Sequence, residues 1–115
     1  MEGKIVRDKI IEIIKSSGET PIYRRVSIGE SIDYLCEKVI EELEEFKKVK
    51  DNEDRTLAAE ELGDVLEVIF SIGLRLNITP DILAEFAASK RADKGSFDEN
   101  WVLIGKEPKS EKEVT

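Results

Sequence analysis

Residues 38–64, KVIEELEEFKKVKDNEDRTLAAEELGD, decide how the chain folds and what its acidic residues are for. They join two runs of helical character across the polar turn DNED at 51–54, which supplies helix caps. Acids crowd both runs, as Glu41-Glu42-Leu43-Glu44-Glu45 and as Glu60-Glu61-Leu62-Gly63-Asp64. On a wheel of about 100° per residue, Leu35, Val39, Leu43, Phe46 and Val49 form one apolar stripe. Glu42 falls inside that stripe, and Glu45 and Lys38 lie on its borders. Glu41, Glu37, Glu44 and Lys48 project away. In the second run Leu57, Val65, Val68, Ile72 and Leu76 define a broad apolar arc, with Glu61 inside it and Asp64 at its edge. Each run thus carries one inward carboxylate and a second, three residues later, at the rim.

An unpaired carboxylate in an apolar setting costs on the order of several kcal/mol, so it must be neutralised, paired or bound to metal. Packing the two runs face to face brings Glu42, Glu45, Glu61 and Asp64 together, where like charges repel unless a divalent cation sits between them. The competing reading is that Glu-rich helices are simply solvated. The matched inward placement on both runs favours the cation.

Composition narrows the chemistry. A chain of 115 residues fits one domain with a modest core, and 40% hydrophobic with 38% charged residues fits a charged helical protein. With no histidine, Ser-His-Asp and Cys-His catalysis are excluded, as are His-based zinc sites. One cysteine forms no internal disulfide and no Cys-rich metal site. Carboxylates holding a hard cation such as Mg²⁺ or Mn²⁺ are the main catalytic option that remains. The net charge of −8 argues against a nucleic-acid duplex as partner, although a nucleotide stays compatible. No apolar run reaches the roughly 18 residues of a membrane span, and MEGKIVRDKI lacks the apolar stretch of a secretion signal, so a reducing cytoplasm is expected.

The surrounding sequence predicts four helices and an all-α fold. The first starts near Asp8 as N-cap and stops at Gly18. ETPIYRRV then reads as an extended linker with a strand-like piece. Ser27 and Glu30 have capping-box spacing and open the second helix, which runs to about Lys50. The third runs from about Arg55 to Leu76. Thr79-Pro80 opens the fourth, which ends at Gly95. Residues 1–104 read as one domain, with SFDENWVLIG packing back through Phe97 and Trp101. Residues 105–115 read as a frayed polar tail. Cys36 borders the apolar stripe as a packed thiol. Ala59, Leu66, Phe70 and Leu74 widen the apolar surface of the third helix beyond half its circumference, which predicts a second subunit as cover.

Four motifs of the chain, taken in order, resemble those of a known family. EELEE, fifteen intervening residues and ELGD are similar to the EExxE…ExxD signature of the MazG-like all-α nucleoside triphosphate pyrophosphohydrolases. KIVRDKI near the start and KRADKGSF near the end resemble the flanking motifs of its small, house-cleaning branch, so the likeness covers residues 4–104. It implies a helical homodimer or homotetramer whose four-helix core is completed between subunits, and Mg²⁺-dependent hydrolysis of a nucleoside triphosphate to monophosphate and pyrophosphate. The metal ligands implied are Glu42, Glu45, Glu61 and Asp64, the four the wheel selects. Glu45 is expected to activate water as well, an office that Glu41 can exchange with it. Three departures stand out: Lys94 replaces an arginine, which loses the bidentate fork, Ser96 replaces a glycine, and Ile11 replaces a proline.

Basic residues are expected to receive the phosphates: Arg7, Lys9, Lys38, Lys90, Arg91 and Lys94. The alternatives are a helix-dipole role for Lys90, Arg91 and Lys94, and an i, i+4 pair with Glu42 for Lys38. Two other functions compete: phosphoribosyl-ATP pyrophosphohydrolase, which resembles the same motif set, and a non-catalytic helical adaptor whose acids are structural.

Overall fold

A computed structural model describes residues 2–109 of the chain and contains four helices: α1 (Ile10–Ser16), α2 (Ile28–Val49), α3 (Arg55–Arg75) and α4 (Pro80–Lys94). There is no strand among the described residues, so the strand-like reading of ETPIYRRV is corrected: Pro21 and the residues after it form an irregular connection. The all-α reading holds.

Capping explains most boundaries. Ser27 Oγ accepts from the Glu30 amide at 3.1 Å and opens α2. Asp54 accepts from the Thr56 amide at 3.0 Å and opens α3. The Thr79 hydroxyl accepts from the Ile82 amide at 3.3 Å, with Pro80 at the first helical position of α4. Each of these satisfies an amide that the helix itself leaves without a partner. α1 begins one residue later than the sequence suggests. Its N-cap is Lys9, already in right-handed helical conformation and without a side-chain cap, so Asp8 does not serve as the cap.

At the other end of α3, the Ile78 amide donates to Gly73 O and the Asn77 amide to Leu74 O, with Asn77 at φ 59°. This is a Schellman ending, built on asparagine where glycine is commoner.

Two compact units divide the chain, one up to Ala84 and one from Glu85, the division falling within α4. In the first unit α2 and α3 form the closely packed helix pair. A five-residue connection makes them antiparallel neighbours, and Arg55 clamps it by donating to the carbonyls of Lys50 and Asn52, both at 3.0 Å. The core of this hairpin is Tyr34, Leu35, Ala58, Val65 and Val68.

Two helices bury one face each, and the rest of the apolar surface stays open. Leu43, Leu57 and Leu76, read from the wheel as buried, are exposed, as are Ile40, Leu62, Leu66, Ile69 and Leu74. Cys36 is exposed too rather than packed.

The second unit continues α4 to Lys94. Gly95 stops it at φ 83°, its amide donating to Arg91 O at 2.8 Å. A turn follows in which the Asn100 amide donates to Phe97 O. Phe97, Trp101, Val102, Leu103 and Ile104 are exposed, so the expected anchoring of this segment through its aromatics is not seen. The tail expected at 105–115 lies outside the described residues from position 110 onward.

Candidate metal centre

Mid-hairpin, the two acidic runs meet across the α2–α3 interface. Glu42 of α2 and Glu61 and Asp64 of α3 each offer a carboxylate oxygen, and the three oxygens lie within 4.8 Å of one another. All three residues are half-buried. It is the single grouping of this kind among the described residues. The wheel anticipated it: residues inside or beside the apolar stripe of each helix are forced toward the partner helix when the stripes pack.

The donor set fits a hard divalent cation. Three carboxylates supply oxygen ligands only, the donor type that Mg²⁺ takes, and none is more than 4.8 Å from another. The cluster also shows the strain of gathered charge. The carboxyl of Glu61 is held above its ordinary value, by partial burial first and then by the negative charges of Asp64, Glu42, Glu45 and Glu60.

Glu45 is placed differently from the other three expected ligands. Its carboxylate is outside the close grouping and accepts from Lys48 at 3.1 Å on the same helix. Even so, its charge contributes to the upward push on Glu61.

Glu41 is corrected. The wheel has it projecting away, yet it is half-buried and bridged by two lysines, Lys4 and Lys38, each at 3.3 Å. Burial alone would raise its carboxyl. The hydrogen bonds and charges of Lys4 and Lys38 outweigh burial and hold it below the ordinary value. A wheel drawn on α2 alone lacks the N-terminal segment that supplies Lys4.

That segment is the feature sequence periodicity does not reach. Residues 2–8 lie along the hairpin and are held at three points. Tyr34, buried on α2, donates from its hydroxyl to Glu2 O at 3.0 Å and accepts from Arg24 at 3.1 Å. Lys4 reaches Glu41, and Arg7 donates to Asp64 Oδ1 at 2.8 Å. KIVRDKI therefore delivers two cations to the acidic face. Lys4 was missed as a site residue, although it stands first in that motif. Lys4, Lys38 and Glu41 also line an open concavity of about 400 Å³ with Tyr34, Glu37 and Ile40.

The remaining basic residues divide into two groups. Lys38 lies beside the cluster, paired with Glu41 and, at 3.6 Å, with Glu42; its side chain is 17% exposed and that of Glu42 14%. The i, i+4 alternative considered for Lys38 is thus present. Lys9 is exposed at the start of α1. Lys90, Arg91 and Lys94 belong to the second unit, exposed near the end of α4.

No protein-family model, no curated protein and no solved structure matches the chain. The family reading therefore rests on its motifs and on the geometry of this cluster. No helix among the described residues is long and apolar enough to cross a membrane.

Proposed function

We propose that the chain is a Mg²⁺-dependent nucleoside triphosphate pyrophosphohydrolase of the MazG-like kind, releasing a nucleoside monophosphate and pyrophosphate in nucleotide-pool house-cleaning. The observation that carries the proposal is the convergence of Glu42, Glu61 and Asp64 from two helices, at positions the motif assigns to metal. A bound Mg²⁺, or Mn²⁺ in its place, would neutralise phosphate oxygens and make the phosphorus more electrophilic.

The chain's own residues divide the remaining work. Glu45 takes the proton of the attacking water, because its partner Lys48 is exposed and the pair is weak. Glu41 is the poorer base, since two lysines hold its carboxyl low, and it instead positions Lys38 beside the acids. Arg7 and Lys38 are the basic groups nearest the acids and receive phosphate oxygens. A second copy of the chain, in a dimer or tetramer, covers Leu62, Leu66 and Ile69, a continuous apolar strip at helical spacing on α3.

The adaptor reading has one observation in its favour: Arg7 and Lys38 already pair two of the three carboxylates. A screen separates the readings. The chain with Mg²⁺ is given canonical and damaged nucleoside triphosphates and phosphoribosyl-ATP, and pyrophosphate and monophosphate are measured together. Turnover of a nucleoside triphosphate that Glu61→Gln abolishes is the expected result. Turnover of phosphoribosyl-ATP alone would move the assignment to that reaction. Absence of turnover together with absence of any Mg²⁺-dependent thermal shift would leave the adaptor.

A further inference from the structure

We propose that Arg7 is the resident counter-ion of the acidic cluster and that a divalent cation displaces it, so that metal binding and release of the segment around Arg7 are one event. The inference rests on the metal reading of Glu42, Glu61 and Asp64 given above.

Two cations touch the cluster, and they are held in different ways. Lys38 sits on α2 itself, one turn from Glu41 and Glu42, with most of its side chain covered. It keeps both partners without any change of backbone. Arg7 comes from a segment that is not helical, and its side chain is 61% exposed against 41% for Asp64. Exposed pairs of this sort contribute little, so a metal ion meets weak resistance at Asp64 and strong resistance at Lys38.

Charge points the same way. With Arg7 and Lys38 in place, the three ionised carboxylates keep one net negative charge. Glu61 has no ion pair among the described residues, so that charge is concentrated there. Exchanging Arg7 for a divalent ion cancels it, whereas adding the ion while Arg7 stays leaves an excess of positive charge. The displaced guanidinium remains on a short tether, because Tyr34 and Glu41 still hold Glu2 and Lys4. Its fork is then free for the oxygens of an incoming phosphate.

The test compares the full chain with Arg7→Gln, Arg7→Lys and Lys4→Gln, each titrated with Mn²⁺ at low salt by calorimetry. Lys4→Gln removes the same charge from the same segment without freeing a carboxylate of the cluster, so it controls for long-range electrostatics. Arg7→Gln is expected to bind Mn²⁺ about fivefold more tightly than the parent, with Lys4→Gln changed less than twofold and Arg7→Lys in between. As a direct readout, the Arg7 Nε–H resonance is followed by NMR during Mg²⁺ addition. It should move to its position in Asp64→Asn.

Mn²⁺ binding to Arg7→Gln alone supports the proposal outright. Equal or weaker binding by Arg7→Gln, or an Arg7 resonance that stays fixed while the parent binds Mg²⁺, overturns displacement and leaves the metal reading standing. If none of the four proteins binds Mn²⁺, the metal reading falls and this inference falls with it.

Discussion

Arg75, at the last residue of α3, donates from Nε to the hydroxyl of Ser31 in the first turn of α2, at 2.8 Å. Ser31 is buried and passes the interaction on, donating to Ile28 O at 2.6 Å. Arg75 also donates to Ser71 O at 2.9 Å. One arginine thus closes the open end of the hairpin, opposite the clamp made by Arg55. Arg75→Ala leaves the Ser31 oxygen without its donor and should lower stability by about 1–2 kcal/mol. Urea denaturation reads this directly; a midpoint within error of the parent would show that the contact contributes nothing.

Two glycines on α3 should respond to alanine in opposite directions. A Cβ at Gly73 would meet Ile78 O at 2.8 Å and Leu83 Cδ1 at 3.2 Å. The first is backbone inside the Schellman ending and yields only if that ending shifts, so Gly73→Ala should cost about 1–3 kcal/mol. A Cβ at Gly63 meets nothing within 4 Å, and helix-interior Gly→Ala ordinarily stabilises by about 0.4–1 kcal/mol. Thermal denaturation at protein concentrations low enough to disfavour association compares the two.

The acids differ in how stability follows pH, with metal absent. The carboxyl of Glu61 is raised in the fold, so its ionisation disfavours the folded state, and this loss enters as pH rises through the unfolded value near 4.5. Glu61→Gln should therefore melt higher than the parent at pH 7 and level with it at pH 3. For Glu41 the sign reverses. Its lowered carboxyl contributes stability above the unfolded value, and this is lost as pH falls through the folded one. Glu41→Gln should melt lower at pH 7 and converge with the parent in acid. Identical shifts for both variants at neutral pH would contradict the ion-pair account.

Metal binding and proton transfer should separate by residue. Glu42→Gln, Glu61→Gln and Asp64→Asn are expected to lose both the Mg²⁺-dependent thermal shift and turnover. Glu45→Gln should retain most of the thermal shift while turnover falls by roughly 10²-fold or more, the usual scale for a general base. Glu45→Gln at full turnover would remove Glu45 from that office. Loss of the thermal shift in the same variant would instead make it a ligand.

Which parts of this could be read beforehand follows from how each is specified. The caps at Ser27, Asp54 and Thr79 are local, set by two or three neighbouring residues, and so were the stops at Gly18 and Gly95. Glu42, Glu61 and Asp64 were legible because helical periodicity places them toward the partner helix. Periodicity says nothing of a segment that has none. The Lys4 and Arg7 contacts lie 37 and 57 positions away in sequence, and so the environment of Glu41 was misread as open. The apolar arcs were legible as patterns, but Leu43, Leu57 and Leu76 show that a pattern does not say which neighbour covers it.

The five-residue connection between α2 and α3 also bears on the order of assembly. Helices joined so closely find each other over short loops, a topology that favours rapid folding. The Arg7–Asp64 contact, by contrast, joins residues 57 positions apart, and closing so long a loop costs more entropy. The difference favours the hairpin forming with Lys38 already beside Glu42, and the segment carrying Arg7 docking afterwards. Until that segment docks, Asp64 is without its guanidinium partner and open to cations from solution.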